Sequence, residues 1–357
     1  MVPSREAFPF LGAPGNRRGG RRDHHPDGGA EPMAQGALAE EPFEGMALSF
    51  AEESTITAVY QVRRVLAHER SPLQEIAILE LEKWGKALVL DGVIQFTQRD
   101  EFFYHESLVH PAMMAHPGPR RVLVIGGGDG GVAREALWYP TVEEVTVVEV
   151  DGRVVALCRQ HMPEFAASFD DPRVRLVVGN GRTFLEEQAD RYDVILLDSN
   201  DPLAELARSL FDEGFFRLCA DHLTEEGMLA LHLSESLFRE GYLGYESPAV
   251  RGALARLFRY VETLPVPYAT YPCNWWSFIV CSKGLDPRVV RNPHPFRGRY
   301  YDPAYHAWLF APPAFIERLE ALKGTFGAEG SARDVPGALS RHDPGHMPRR
   351  LASRVVV

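Results

Sequence analysis

The chain has 357 residues, of which 45% are hydrophobic and 24% charged, which excludes a disordered or collagen-like protein. Its 38 Lys and Arg stand against 49 Asp and Glu, a formal charge of −11, and no dense basic stripe is interleaved with aromatic residues, so we expect no nucleic-acid partner. No apolar run approaches the ~20 residues that span a bilayer, so we expect no membrane partner. The 4 cysteines are scattered without C-x-x-C spacing, which favours the reducing cytoplasm.

The two ends of the chain lack the periodicity of helices and strands. Residues 1–48 are rich in Gly, Pro, Arg and Ala and predict a disordered tail, and residues 323–357 predict an irregular C-terminal tail. Residues 49–115 begin with short β-rich stretches separated by turn signals such as Asp91-Gly92. We therefore predict a small N-terminal antiparallel β domain over this range.

Residues 116–322 alternate apolar, β-branched runs with helical segments. Continuous apolar runs are typical of buried parallel strands. The predicted fold class is α/β, with a Rossmann-like, doubly wound, mostly parallel sheet of the class I methyltransferase type. The predicted strands are Arg121 to Ile125, Glu144 to Val150, Val174 to Val178, Tyr192 to Leu197, Met228 to Leu233, Tyr260 to Val266 and Trp276 to Cys281.

A glycine-rich loop follows the first of these strands. Residues 126–131 read Gly-Gly-Gly-Asp-Gly-Gly, which is a G-x-G-x-x-G pattern between a strand and a helix. Gly126 and Gly128 permit a close backbone approach to a nucleotide-like ligand, and Glu149 can accept hydrogen bonds from the ribose hydroxyls. Dinucleotides and S-adenosylmethionine and its relatives share this geometry. Because Asp129 would repel a pyrophosphate or carboxylate and attract an ammonium group, we expect a cationic nucleoside.

Two carboxylates follow the strand that begins at Tyr192. Asp198 and Asp201 leave its carboxyl end, where open α/β sheets bind their ligands. Such a pair can bind an amine and accept its proton. An Asx-turn that merely ends the strand before Pro202 is an alternative. A metal pair is disfavoured, because the nearby residues lack a His/Cys cluster.

These segments together resemble the polyamine aminopropyltransferases of the spermidine synthase family, over roughly residues 55–320. The segments that carry the resemblance are DGVIQ at 91–95, DEFFYHE at 100–106, GGGDGG at 126–131, VEVD at 148–151 and DSNDP at 198–202. The resemblance implies transfer of the aminopropyl group of decarboxylated S-adenosylmethionine, a co-substrate, to an amine, with release of 5′-methylthioadenosine. Putrescine is the default acceptor, giving spermidine, and related diamines or triamines are alternatives. It implies no metal or other cofactor, and a homodimer or homotetramer.

The resemblance also implies a set of donor-binding residues. Gln74 and Glu149 would hold the ribose, and Asp129 and Asp198 would hold the aminopropyl chain. The family usually has Asp where this chain has Asn180, a position expected to accept a hydrogen bond from the adenine amino group. The amide oxygen of Asn180 remains an acceptor, so donor binding is expected to survive in outline.

On the acceptor side, the resemblance makes Asp201 the base, with Asp198 and Tyr104 as further catalytic residues. The residues implied to line the path of the amine are Gln95, Tyr104, His105, Tyr271 and Trp276. The stretch from Leu203 to Leu210 replaces a Gly-Pro-Ala segment that in the family covers the amine. This difference leaves the choice of acceptor open.

Three other functions fit parts of the pattern. An S-adenosylmethionine-dependent methyltransferase shares the sheet, the loop and Glu149, but Asp129 disfavours it. A nicotinamide-dependent dehydrogenase is disfavoured because the same carboxylate would face the pyrophosphate. A non-catalytic polyamine-binding relative is disfavoured because both Asp198 and Asp201 are present.

Overall fold

Two β-sheets organise the part of the chain that the computed structural model describes, which is residues 47–51, 57–199, 208–233, 246–271 and 275–310. Both predicted tails lie largely outside these residues. No helix in the described ranges is long and apolar enough to cross a membrane.

The N-terminal sheet is an antiparallel meander in the order β1-β2-β3-β4-β5. Its strands are Ala47–Ala51 (β1), Thr57–Arg70 (β2), Glu75–Leu81 (β3), Gly85–Leu90 (β4) and Val93–Thr97 (β5). Asp91 and Gly92 join β4 to β5 with φ angles of 48° and 79°. Positive φ at both positions is the requirement of a tight hairpin turn, so the Asp-Gly signal is explained. The predicted N-terminal antiparallel sheet is confirmed.

The second sheet has 7 strands in the order β11-β12-β10-β9-β6-β7-β8. They are Arg121–Gly126 (β6), Glu144–Glu149 (β7), Val174–Val178 (β8), Tyr192–Asp198 (β9), Leu223–His232 (β10), Tyr260–Pro267 (β11) and Trp275–Ser282 (β12). Strands β6 to β10 pair in parallel, whereas β12 pairs antiparallel with β10 and with β11. The predicted mostly parallel, Rossmann-like sheet is confirmed.

Helices cover both faces of this sheet. They are Glu101–Ala115 (α1), Gly131–Ala136 (α2), Gly152–His161 (α3), Pro163–Ala166 (α4), Gly181–Glu186 (α5), Glu213–His222 (α6), Glu246–Ala255 (α7) and His306–Leu309 (α8). On one face, alternate residues such as Val122 and Val124 pack with α1 to α4 in a core that continues into the N-terminal sheet. On the other face, Leu123 and Ile125 pack with α5, α6 and α7. This two-sided burial explains the continuous apolar runs.

Helix α1 packs against α2 and against β9 to β12 of the second sheet. Helix α1 falls within residues 49–115, the range predicted for the N-terminal β domain. Most of its residues are buried, including Leu108, Val109 and Met113. The helix therefore belongs structurally to the wall of the second sheet, and its N-terminal turn reaches the carboxyl edge of that sheet.

The strand order reverses direction between β6 and β9, which start the two halves of the parallel sheet. Gly126, at the end of β6, lies directly beside Asp198, at the end of β9. In open α/β sheets, ligands bind outside the carboxyl ends of the strands at such a reversal. The glycine loop and the first of the paired carboxylates are thus brought together by the topology.

Candidate active site

A cleft with about 1200 Å³ of empty space, part of it open to solvent, lies at this reversal point. Its walls include every candidate site residue that the structure describes: Gln74, Gln95, Tyr104, His105, Gly126, Gly128, Asp129, Glu149, Asn180, Asp198, Tyr271 and Trp276. Asp201 lies outside the described residues. Residues from both sheets line the cleft, so the N-terminal sheet forms part of its wall.

The glycine loop is held against the end of β9. The Gly127 N–H donates to the Asp198 carbonyl oxygen at 3.0 Å. Gly126 has a φ of 88°, and a Cβ there would lie 1.9 Å from that same oxygen, so no larger residue fits. The Gly128 N–H donates to Glu149 Oε2 at 3.1 Å. The loop and the predicted ribose-binding carboxylate are therefore one hydrogen-bonded unit.

Glu149 is held in place on both of its oxygens. Oε1 accepts the Asp151 N–H at 2.8 Å, and Oε2 accepts that of Gly128. Burial, with repulsion from Asp151, Asp198 and Asp129, outweighs the backbone hydrogen bond and raises the pKa of Glu149 to about 7. Because its ionised form is unfavourable here, Glu149 would be stabilised by a ligand that donates hydroxyl hydrogen bonds or carries a positive charge nearby.

Asp151 has a supporting role that the sequence analysis did not assign. Its Oδ2 accepts from Gln74 Nε2 at 3.1 Å and from the Ser71 hydroxyl at 2.6 Å, and its Oδ1 accepts the N–H of Arg153. The residue thereby caps α3 and fixes the side chain of Gln74 beside the cleft. Its place two residues after Glu149 is the sequence signal that points to it.

Asp129, Asp198 and His105 form a cluster in the wall of the cleft. Asp129 Oδ1 accepts the Gly131 N–H at 2.6 Å and lies 3.6 Å from His105 Nε2. One ligand atom from each of Asp129, Asp198 and His105 falls within 4.8 Å of the others. Burial and repulsion from Asp129 raise the pKa of Asp198 to about 7, against the opposing effects of His105 and Tyr104. The two carboxylates so close together are a site for a positive charge.

The tautomer of His105 decides which cation suits this cluster. Its Nδ1 lies 2.6 Å from Glu101 Oε2, so Nδ1 carries a proton and donates to that carboxylate. Burial alone would lower the pKa of His105, but the bond to Glu101 and the charges of Asp129 and Glu101 raise it overall. A protonated imidazole has no free lone pair for a metal. The cluster therefore suits an ammonium group.

Three aromatic residues, Tyr104, Tyr271 and Trp276, form an aromatic wall of the cleft beside Asp198. The Tyr104 hydroxyl donates to Asp198 Oδ1 at 2.9 Å. The rings of Tyr271 and Trp276 stack with centroids 4.5 Å apart, and the Tyr271 hydroxyl donates to the Gln95 carbonyl oxygen at 2.6 Å. Stacked π faces next to carboxylates suit an alkyl chain that carries positive charge.

His232 is a wall residue that sequence reasoning missed. It is 2% exposed, its ring stacks on Trp276 with centroids 5.9 Å apart, and its Nε2 donates to the Ser199 carbonyl oxygen at 2.7 Å. Burial lowers its pKa to about 4, so the ring is neutral. It fixes the backbone directly before the segment that carries Asp201. Its position at the carboxyl end of β10, beside β9, is the signal that could have found it.

Asn180 is placed at the cleft but uses its amide oxygen differently from the expectation. Oδ1 accepts the N–H groups of Arg182 at 2.9 Å and Thr183 at 3.1 Å, and so caps α5. The polar group that remains is the amide NH₂, which can only donate. The side chain therefore offers the ligand a donor where an acceptor was expected.

Comparison with known proteins agrees with this architecture. Residues 101–292 match the family model described as spermine/spermidine synthase domain, and residues 49–98 match the model described as spermidine synthase tetramerisation domain. The chain is 38% identical over 277 residues to a polyamine aminopropyltransferase of Moorella thermoacetica, covering 76% of this chain and 96% of that protein. It is 36% identical to one from Desulforudis audaxviator, covering 72% and 92%.

Solved structures give the same result. A spermidine synthase in complex with the transition-state analogue AdoDATO superposes with a TM-score of 0.73 at 31% identity, covering 79% of this chain and 97% of that one. The spermidine synthase of Thermotoga maritima gives a TM-score of 0.71 at 31% identity, covering 79% and 96%. The chain therefore belongs to the spermine/spermidine synthase family and is an aminopropyltransferase that uses decarboxylated S-adenosylmethionine as co-substrate.

Proposed function

We propose that the enzyme transfers the aminopropyl group of decarboxylated S-adenosylmethionine to putrescine, forming spermidine and 5′-methylthioadenosine. The observation that carries the proposal is the convergence of Asp129, Glu149 and Asp198 in one cleft beside an aromatic wall. Burial and mutual repulsion raise the pKa of both Glu149 and Asp198 to about 7. A ligand with a sulfonium and an ammonium group would relieve this repulsion.

The donor nucleoside would lie along the glycine loop. Glu149 and Gln74 would hold the ribose, since both are fixed by hydrogen bonds at the end of β7. Gly126 and Gly128 allow the backbone to approach the ligand closely. Asp129 would bind the aminopropyl ammonium, together with Asp198. A methyltransferase substrate, which keeps its carboxylate, would meet repulsion at Asp129.

The reaction itself needs alignment and one proton acceptor. The sulfonium is already a good leaving group, so the amine nitrogen needs only to be deprotonated and held about 3 to 3.5 Å from the methylene carbon. Asp201 would accept the amine proton. Asp198, oriented by the Tyr104 hydroxyl, would hold the donor chain in line. The C–N bond forms as the C–S bond breaks, and the sulfur leaves as neutral 5′-methylthioadenosine.

The acceptor amine would enter along the aromatic wall. Tyr104, Tyr271 and Trp276 offer apolar surface for its methylene groups, and Gln95 and His105 line the same cleft. Putrescine is the default acceptor that the family resemblance implies, and it is the first acceptor to test. We also propose that the protein acts in the cytoplasm as a homodimer or homotetramer, because its N-terminal sheet corresponds to the range matched by the tetramerisation model.

The first test is release of 5′-methylthioadenosine from decarboxylated S-adenosylmethionine with putrescine, cadaverine, agmatine, spermidine or spermine, and with no amine. We expect putrescine to give the highest kcat/KM, because it is the default acceptor that the family resemblance implies. Release with a longer amine only would contradict the proposed acceptor. No release with any amine, from folded protein, would contradict the proposed reaction.

A second prediction concerns the base of the donor nucleoside. We expect Asn180→Asp to tighten the binding of 5′-methylthioadenosine by about tenfold, since a charged acceptor hydrogen bond contributes roughly 1.5 kcal/mol. One aspartate oxygen would still cap α5 while the other accepts from the adenine amino group. Titration calorimetry measures the change.

The matched control for this variant is 5′-methylthioinosine, which carries a carbonyl oxygen instead of the amino group. The Asn180 amide NH₂ can donate to that oxygen, so the substitution should weaken this ligand. Equal changes for the two ligands would show that residue 180 does not contact the base.

A further inference from the structure

A line of alternating charges leads from the outer surface to the donor-amine carboxylates. Glu101, at the start of α1 and 1% exposed, receives Nη2 of Arg134 on Oε2 at 2.7 Å and the guanidinium of Arg299 on Oε1. The same Oε2 accepts from His105 Nδ1 at 2.6 Å, and His105 Nε2 faces Asp129 Oδ1 at 3.6 Å. The order is therefore guanidinium, carboxylate, imidazole, carboxylate.

We propose that Glu101 is a positioning residue that keeps His105 as a fixed cation next to Asp129 and Asp198, so that Asp198 stays ionised and the pair can receive the aminopropyl ammonium. This inference deepens the proposed function and rests on it. Glu101 itself does not line the cleft; it acts through the imidazole.

The geometry favours a charged imidazole. Because Nδ1 donates to Glu101, a neutral ring would aim the lone pair of Nε2 at the Asp129 carboxylate. Protonation of Nε2 turns that repulsion into attraction. Burial raises the pKa of Glu101, but the hydrogen bond and charge of His105, with those of Arg134, lower it to about 2. A carboxylate therefore faces each nitrogen of the His105 ring, Glu101 at Nδ1 and Asp129 at Nε2, and both stabilise its positive charge.

The ring of His105 has no room to turn away. A Cβ at Gly131 would lie 2.3 Å from its Cε1, so the imidazole fills the space that only a glycine at the start of α2 leaves free. The rings of Phe96 and Tyr104 contact it edge-on with centroids 5.5 Å and 5.6 Å away. This packing fixes the direction in which Nε2 points.

The charged and titratable groups that face His105 are Glu101, Arg134, Asp129, Asp198 and Tyr104. Those that face Asp198 are Asp129, His105, Tyr104 and, more weakly, Glu149. Removing the charge of Glu101 lowers the pKa of His105, because the hydrogen bond to that carboxylate and its charge both raise it. A neutral imidazole no longer stabilises the carboxylate beside it. Asp198 loses a neighbouring cation, its pKa rises, and it ionises only at higher pH.

The test is the pH profile of kcat/KM for decarboxylated S-adenosylmethionine with Glu101→Gln. We expect the acid limb to move to higher pH by about one unit, as for loss of an opposite charge within 4 to 6 Å, with the rate recovering on the alkaline side. Loss of activity by the same factor at every pH would overturn the proposal, because a structural defect acts at all pH values. The matched control is Glu164→Gln. Glu164 and Glu101 both line a second cavity, outside the cleft, but Glu164 pairs with Lys86. The acid limb of this variant should not move.

Two further measurements keep the test sharp. His105→Gln removes the cation and leaves in place the ion pairs that Glu101 makes with Arg134 and Arg299. It should shift the acid limb in the same direction, with no further shift in the double variant. An acid limb that does not shift in His105→Gln would overturn the proposal even if Glu101→Gln fails to fold.

The second measurement is the binding of 5′-methylthioadenosine, which lacks the aminopropyl chain. Its Kd should be the same in all variants, and a loss of its binding alongside the loss of activity would also overturn the proposal. A wild-type protein without transfer activity would instead refute the proposed function.

Discussion

Asparagine in place of Asp129 is expected to weaken the binding of decarboxylated S-adenosylmethionine by about 100-fold, or roughly 3 kcal/mol, the cost of removing one partner from a desolvated charge pair. Asp129 is 8% exposed and lies in the loop where the aminopropyl ammonium would sit. Asparagine keeps the oxygen that accepts the Gly131 N–H, so the loop should retain its conformation. Calorimetric titration of the donor measures the effect.

Ordinary S-adenosylmethionine is the discriminating ligand for this variant. Its carboxylate would meet Asp129 in the parent protein, so the parent should strongly prefer the decarboxylated form and Asp129→Asn should lose most of that preference. The control is Asp193→Asn, which changes a carboxylate at the opposite end of β9, where it accepts the N–H groups of Arg120 and Arg121. Equal affinity of the parent protein for the two donors would contradict the assigned role of Asp129.

Asp201→Asn should reduce kcat by about 10²- to 10⁴-fold near neutral pH, which is the usual contribution of a general base. An amide cannot accept the proton of the attacking amine, so only amine that is already uncharged in solution would react. The residual rate should therefore rise steeply with pH, whereas the parent rate should level off. Steady-state kinetics with saturating donor measure both effects.

The comparison with Asp198→Asn separates the two carboxylates. Asp198 accepts from Tyr104 and faces Asp129, so its replacement should act mainly on the KM of the donor. A near-wild-type kcat in Asp201→Asn with the preferred amine would show that another group is the base. A large effect on donor KM in Asp201→Asn with kcat unchanged would assign it to donor binding instead.

The predicted effect on donor binding follows from the electrostatics of the cleft. Asp129, Glu149 and Asp198 are crowded into a small volume, and the pKa values of Glu149 and Asp198 rise to about 7 because burial and mutual repulsion penalise the anions. Binding of a dication lowers these pKa values and releases protons. Among the described residues that line the cleft, we assign one buried positive charge opposite these carboxylates, that of His105.

The sequence by itself determined the fold class and the acidic character of the cleft. The apolar runs, the glycine loop, Glu149 and Asp198 are each defined within a few neighbouring residues, and the rule that ligands bind at the carboxyl ends of parallel strands places them together. Gly126 and Asp198 are 72 positions apart, yet their strands are neighbours because βαβ topology allows few arrangements. Local sequence patterns are therefore enough to predict which strands are neighbours when the topology of the sheet allows few strand orders.

Only the tertiary structure decided which partners these residues have. The bond between Arg299 and Glu101 joins residues 198 positions apart, and His232 reaches Ser199 from a different strand. Such pairings depend on how helices dock and which rotamers packing permits. Hydrogen-bond partners of buried polar groups are therefore fixed by the whole fold, and sequence spacing does not reveal them.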